Sequence, residues 1–330
     1  MTIGRRELIG LVGAVTLSAP RLASAQSPAR AYRIGWISTS DAFTKPEPYS
    51  LAFVQRLSEL GLVEGHNLRI ERRHADGRLE RLPALADELA DLKCDVYFTG
   101  GIVANLAALT QSSPDTPIVF MGVDFDLVAT GDVASLARPG GRVTGVTAQP
   151  SELPAKRLEL LKEMLPGVSK VAVFANEQTS VQLALVQGTA RRLGLPLHLV
   201  EFTRPPFDYQ AGFAEAVRAK ADALFVLGSG LWVPARHKIP ELALEARLPT
   251  MFNQSQWVEA GALMSYGVNL TWMFRRGAEM VAVILRGAKA GDIPLEQPTT
   301  FELAINLKTA KSLGITIPPS LMLRADRVIE

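Results

Sequence analysis

Short apolar runs rich in β-branched residues alternate along this chain with stretches whose apolar residues recur at helical spacing, and the alternation occurs twice. Tyr32-Arg33-Ile34-Gly35-Trp36-Ile37 predicts a first buried strand. The segment 49–60, with Leu51, Val54, Leu57 and Leu60 on one helical face, predicts a helix stopped by Gly61. Strands over 68–72, 95–99 and 118–121 follow, with helices over 79–92 and 102–109 between them. A second series starts at Lys170-Val171-Ala172-Val173-Phe174-Ala175. It runs through a helix over 182–193 ending at Gly194, a strand over 197–202 and a helix over 209–218. Lys93-Cys94-Asp95-Val96-Tyr97-Phe98-Thr99-Gly100-Gly101 corresponds to Lys220-Ala221-Asp222-Ala223-Leu224-Phe225-Val226-Leu227-Gly228-Ser229-Gly230. Each is followed by a helix and then by proline and a short strand, Pro117-Ile118-Val119-Phe120 and Pro249-Thr250-Met251-Phe252. Buried strands alternating with helices require a largely parallel sheet covered on both faces. The fold class is therefore α/β, with two similar Rossmann-like lobes and a boundary near residue 148. Residues 269–330 carry one strong helix, 273–285, and then a proline-rich run without a third βαβ set, so this part is expected to complete the two lobes.

The first residues read as an export leader, not as fold. Arg5 and Arg6 form a basic start, 8–19 is apolar or small, and Ala23-Ser24-Ala25 is a small-residue cleavage site, which marks 1–25 as a signal peptide. The paired arginines leave the Sec and Tat routes both open, since Glu7-Leu8-Ile9 matches the twin-arginine pattern only loosely. The apolar run falls short of the roughly 20 residues that span a bilayer. Without the leader's Arg5, Arg6, Arg21 and Glu7, acidic and basic side chains balance, so no nucleic-acid partner is indicated. The single cysteine, Cys94, precedes a predicted strand and reads as a small buried thiol. No cysteine follows the leader to carry a lipid anchor, and no other run is apolar enough to span a membrane.

Catalytic signals are absent. His66, His74, His198 and His237 lack metal-ligand spacing, and there is neither a G-x-S-x-G elbow nor a phosphate loop. The turn after the first strand, Ser38-Thr39-Ser40-Asp41, has no dinucleotide-binding glycines, and no base can be named for Ser38 as a nucleophile. No catalytic residue, metal ligand or cofactor is expected. The strand exits are instead rich in hydrogen-bonding groups. Ser38, Thr39 and Ser40 follow strand one, Gly100 and Gly101 open the next helix, and Asp124 and Phe125 follow strand four. In the second half Asn176, Glu177 and Gln178, then Gly228 and Ser229, then Asn253, Gln254 and Gln256 hold the matching places. Capping and turn chemistry accounts for part of these singly, but less well for their recurrence at nearly every exit. Ligands of open α/β sheets bind outside the strand carboxyl ends, which puts a small molecule in a cleft between the lobes. Phe43, Tyr49, Phe125, Trp232, Trp257 and Tyr266 are candidates to line it, whereas Trp36 reads as core. Arg69, Arg72 and Arg73 read as solvated surface, and Gly140-Gly141 as a tight turn.

Several longer stretches carry a resemblance. They are Arg33-Ile34-Gly35-Trp36; the Glu-Leu-Gly-Leu-Val-Glu-Gly core within 57–67; Glu80-Arg81-Leu82-Pro83-Ala84-Leu85-Ala86; Val133-Ala134-Ser135-Leu136-Ala137-Arg138-Pro139-Gly140-Gly141; Lys156-Arg157-Leu158-Glu159-Leu160-Leu161-Lys162; Leu263-Met264-Ser265-Tyr266-Gly267; Gln297-Pro298-Thr299; Asn306-Leu307-Lys308-Thr309-Ala310-Lys311; and Ile317-Pro318-Pro319-Ser320. With these the chain resembles the ABC transporter substrate-binding family that includes tryptophan-binding, TrpX-like proteins. The resemblance implies a periplasmic binding protein type I fold whose lobes are joined by a three-crossing hinge. One lobe would be 31–148 plus about 268–296, the other 149–267 plus about 297–330. It also implies a monomer in the periplasm that closes on an amino acid, aromatic in the better-understood relatives, and delivers it to an ABC permease and its ATPase. The chain departs from the family at the strand exits: Asp124-Phe125-Asp126 stands where relatives have Gly-Asp-Pro, and Gly228-Ser229-Gly230 where they have a Pro-Asp-Pro loop. Three rival readings share part of this pattern: a ligand sensor feeding a signalling partner, a repressor-type regulator, which would need a helix-turn-helix in place of the leader, and an extracytoplasmic enzyme, which would need a base.

Overall fold

The computed structural model describes residues 31–39, 47–100, 103–123, 126–148 and 153–330. The leader expected over 1–25 lies outside the described residues, as do Ser40, Phe43, Gly101, Asp124 and Phe125. In the first half β1 (Tyr32–Ser38), α1 (Pro48–Glu59), β2 (Leu68–His74), α2 (Leu82–Asp91), β3 (Val96–Gly100), α3 (Val103–Ser112), β4 (Ile118–Val123) and β5 (Val143–Ala148) follow one another. The second half brings α4 (Leu153–Met164), β6 (Val171–Asn176), α5 (Ser180–Leu193), β7 (Leu197–Phe202), α6 (Tyr209–Arg218), β8 (Ala223–Val226), α7 (Lys238–Glu245), β9 (Thr250–Phe252), α8 (Ser255–Glu259) and β10 (Met264–Val268). The last part holds α9 (Leu270–Leu285), β11 (Phe301–Asn306), α10 (Leu307–Leu313), α11 (Pro319–Arg324) and β12 (Arg327–Ile329).

One sheet has the order β2-β1-β3-β4-β5 and is parallel throughout. The other runs β12-β11-β10-β9-β8-β6-β7, parallel except where β11 lies antiparallel to β10. Alternation along each strand sorts side chains between two faces. Ile34, Trp36, Val96 and Phe98 pack with α1 and α9, while Ile37 and Tyr97 pack with α2 and α3. In the second sheet Val171, Val173 and Ala175 face one core, and Ala172 and Phe174 the other. Trp36 is buried, as its place in the strand predicted. It meets Phe53 and Phe98 edge-on at 5.0 Å, and Phe53 stacks on Phe98 at 4.0 Å. Each fully buried large side chain contributes about 1.5–3 kcal/mol of transfer free energy, so this cluster binds α1 to the sheet.

Strands β11 and β12 were not legible in the proline-rich reading of 286–330, yet both extend the second sheet, through Val268↔Phe301 and Ile305↔Val328. The chain passes between the sheets three times. The first passage is 149–152, outside the described residues. The second is Asn269, whose Oδ1 caps α9 by accepting from the Trp272 amide (2.9 Å) while its Nδ2 donates to Glu302 (3.0 Å). The third lies between α9 and β11. Glu296 on it bridges to β5, donating to the Gly145 carbonyl (3.0 Å) and accepting from the Thr147 amide (2.9 Å), and its carboxylate grips Arg276 of α9 at 2.6 and 2.7 Å. Gly140 does form a turn with positive φ, and its amide donates to the Gly291 carbonyl of this third passage. Two of the surface arginines hold carboxylates, Arg72 that of Glu64 and Arg73 that of Glu88.

Cys94 is buried, and desolvation pushes its thiol up to about 12. The thiolate is the reactive species. Cys94 should therefore resist a thiol-labelling reagent at pH 8 in the native protein and react fully in urea. Labelling at the same rate in both conditions would show that the β1–β3 edge opens freely.

Candidate functional site

Because every strand of β1–β5 and of β6–β9 is parallel to its neighbours, each lobe presents all these strand exits on one edge, and the two edges enclose a pocket. The first lobe supplies Ser38 and Thr39 at the end of β1, Gly100 at the end of β3, and Met121 and Val123 on β4, with Trp36 and Tyr49 beside them. The second supplies Gly228, Ser229, Gly230 and Val233 after β8, then Asn253, Gln254, Gln256 and Trp257 after β9. Leu270, Met273 and Phe274 of α9 complete the wall. The cavity they enclose has a volume of about 120 Å³ and opens to solvent at its mouth.

Each exit is held by a neighbour. The Ser38 and Thr39 carbonyls accept from the amides of Ala75 (2.9 Å) and Gly77 (2.7 Å). Buried Asn105 of α3 donates to the Gly100 carbonyl at 2.9 Å. Gln182 of α5 clamps Gly228 with both ends of its amide, donating to the carbonyl (2.8 Å) and accepting from the N–H (2.9 Å). Asn105 and Gln182 escaped the sequence reading. Their signal was a polar residue at a helical position that packing buries. Gln256, noted as a strand-exit amide in the sequence, proves to be one of the buried polar side chains of the wall.

Of the expected binding residues, the structure brings Ser38, Thr39, Gly100, Ser229, Asn253 and Gln254 to the pocket. Asn176 and Gln178 stand behind it. Asn176 Oδ1 accepts from the Gln178 amide at 3.0 Å, capping the turn Glu177–Thr179, and Gln178 Oε1 accepts from the Ser229 hydroxyl at 3.2 Å. Among the candidate aromatics, Tyr49 and Trp257 reach the pocket, and Trp36, read from the sequence as core, is buried and lines it as well. Trp232 does not: it is 1% exposed, packs with Phe202 and Phe207, and donates its indole N–H to the Leu227 carbonyl at 2.8 Å. Tyr266 lies instead against Phe301.

The described lining carries no carboxylate, ammonium, guanidinium or imidazole. Tyr49 is its titratable group, and burial, reinforced by Glu47, raises the phenol well above its ordinary value, so it stays neutral. Among the described residues no cluster of three His, Cys, Asp or Glu is placed to hold a metal ion. Such a wall can hydrogen-bond and stack.

Two contacts join the lobes at the mouth. Glu47, just before α1, pairs with Arg236, just before α7, at 2.5 Å, with side chains 12% and 17% exposed. Gly77 lies so close to Pro234 that an added Cβ would meet the ring at 3.2 Å. Arg236→Met should loosen this closed arrangement. Small-angle scattering of the ligand-free variant is expected to give a larger radius of gyration than wild type, and ligand affinity to fall by up to about tenfold, the scale of a partly exposed ion pair. An unchanged scattering profile would show that the pair does not hold the lobes.

Gly267 explains part of the Met264-Ser265-Tyr266-Gly267 motif. A Cβ there would stand 1.8 Å from the Asn253 carbonyl oxygen, so β10 can pass the β9 exit only with glycine. Buried Arg157 holds the adjacent Tyr266 carbonyl at 2.6 Å. Gly267→Ala should displace Asn253, lowering stability by about 1–3 kcal/mol in urea unfolding, the scale of an overpacked site, and weakening ligand binding. Wild-type values for both would contradict this close approach.

A family model described as ABC transporter substrate binding protein matches residues 51–329. A tyrosine-binding protein of Clostridioides difficile (strain R20291) is 26% identical over 269 residues, covering 80% of this chain and 75% of the relative. The crystal structure of a conserved domain protein from Vibrio cholerae superposes with a TM-score of 0.78 at 26% identity, over 91% of this chain and 100% of that one. A Streptococcus pneumoniae ABC domain solved with L-Trp also gives 0.78, at 22% identity, over 90% and 99%. The two-lobed architecture is that of the periplasmic binding protein type I fold.

Proposed function

Since this chain belongs to the ABC transporter substrate-binding protein family, we propose that it is the exported solute receptor of an ABC importer. It captures an amino acid with an aromatic side chain between its lobes and passes it unaltered to a membrane permease. The observation that carries this reading is the pocket: neutral hydrogen-bonding groups from the strand exits of both lobes face an aromatic wall of Trp36, Tyr49, Trp257 and Phe274. A flat ring can stack against that wall. The backbone at Gly100 and Gly228, with Ser38, Thr39, Ser229, Asn253 and Gln254, can orient a polar head without a formal counter-charge. A ligand that touches both lobes favours the closed form by contacts the open form lacks. The tyrosine- and tryptophan-binding proteins it resembles support the ligand class. The leader over 1–25 supports a periplasmic location. No helix among the described residues is long and apolar enough to cross a membrane.

Calorimetric titration of the protein lacking residues 1–25 with L-tryptophan, L-tyrosine, L-phenylalanine and L-leucine tests the reading. An aromatic member should bind with quenched or shifted tryptophan fluorescence and be recovered chemically intact by mass spectrometry. Silence from all three aromatic members would remove the ligand class, and a covalently changed ligand would remove the receptor role.

A further inference from the structure

Gln256 is 9% exposed and lines the pocket between Gln254 and Trp257. Its Nε2 donates to Gln254 Oε1 at 2.9 Å, while its own Oε1 is buried with no hydrogen-bond partner. The adjacent Trp257 stacks on Phe252 at 4.5 Å with the rings 13° apart, which packs α8 against β9. A buried acceptor without a donor is unfavourable, and native proteins keep such atoms where something else supplies the proton. In this arrangement the neighbouring Gln254 presents its oxygen, not its N–H, to the pair.

We propose that Gln256 is a specificity-determining residue whose Oε1 accepts a hydrogen bond from an N–H or O–H of an aromatic ligand, so that ligands lacking that donor are rejected. This rests on the aromatic-ligand reading above and deepens it. A site built around a buried acceptor discriminates strongly, because an analogue without the donor leaves the acceptor desolvated and unpaired. Two positions on an aromatic amino acid carry such a donor: the edge of an indole or phenol ring, and the ammonium group.

The test measures binding of wild type, Gln256→Met and Gln256→Glu to matched probes. L-tryptophan against 1-methyl-L-tryptophan, L-tyrosine against O-methyl-L-tyrosine and indole against 1-methylindole remove the ring donor; L-tryptophan against indole-3-propionate removes the ammonium. Wild type should prefer the donor-bearing member of at least one kind of pair by about tenfold or more. Gln256→Met should erase that preference by weakening the donor-bearing member, and Gln256→Glu, which keeps an acceptor oxygen, should retain it. Loss in the methylated pairs assigns the ring donor; loss in the deaminated pair assigns the ammonium. The melting temperature of ligand-free Gln256→Met should not fall, whereas a purely structural role would lower it. The proposal is overturned if Gln256→Met weakens both members of every pair equally, if it changes nothing, or if no donor-bearing probe binds wild type. Indole binding with discrimination but no amino acid binding would instead remove the amino-acid reading and leave Gln256 in its role.

Discussion

Parallel pairing sends each strand of β1–β5 and β6–β9 out of its sheet at the same edge, and everything at the pocket depends on that. An antiparallel strand would return half of its exits to the far side. The two reversed strands, β11 and its parallel neighbour β12, are placed where they do not disturb this order, beyond β10 at the end of the second sheet. Asn269 does two jobs with one side chain, capping α9 of the first lobe and holding Glu302 of the second sheet. A short polar pivot of this kind lets α9 belong to one core while its N-terminus stays tied to the other sheet, which is what a hinge between two rigid bodies requires.

The alternation that defines the lobes was legible because a buried strand sorts its residues by parity. Ile34 and Trp36 face one core and Ile37 the other, and the sequence pattern alone says so. Strand β11 was hidden because Pro298 and Pro318 frame a segment whose pairing partner, β10, is chosen by tertiary contact and not by a local turn. Trp232 was misplaced for a different reason. Its indole N–H finds a carbonyl five residues back, at Leu227, so the ring turns inward to the core and not to the cleft. The strand-exit pattern itself was readable at Ser38, Gly100, Ser229 and Asn253, but the groups that hold those exits, Asn105 and Gln182, were not. A helical amide bonded to a distant loop looks in sequence like any solvated amide, since satisfaction of a buried polar group is a property of the whole fold.

The division of labour between Asn176 and its neighbours shows how the two readings of a strand-exit polar group coexist. Asn176 Oδ1 caps the turn after β6 while its Nδ2 is buried without a partner, and Gln178 receives the Ser229 hydroxyl that lines the pocket. Capping chemistry at one exit thus becomes positioning chemistry at the next. The same logic holds in the first lobe, where the amides of Ala75 and Gly77 fix the β1 exit by bonding the Ser38 and Thr39 carbonyls. With its backbone held in this way, a wall of neutral groups can recognise a ligand without rearranging, which lowers the ordering cost of binding.

The Glu47–Arg236 pair at the mouth sets a limit on what that wall must achieve. A partly buried ion pair forfeits much of its Coulomb attraction to desolvation, so its net contribution to closure is small. A small contribution is what a receptor needs. If the pair held the lobes shut by several kcal/mol, entry would be blocked; if it contributed nothing, the ligand alone would have to supply the whole closing free energy. A ligand shifts the balance only by the difference between its contacts in the closed and open forms. In the proposed function those differential contacts would be the ones made simultaneously to the exits of β1 and β3 and to those of β8 and β9. A charge pair set apart from the uncharged lining of the described residues would leave the decision to close with hydrogen bonds and stacking that the solute completes.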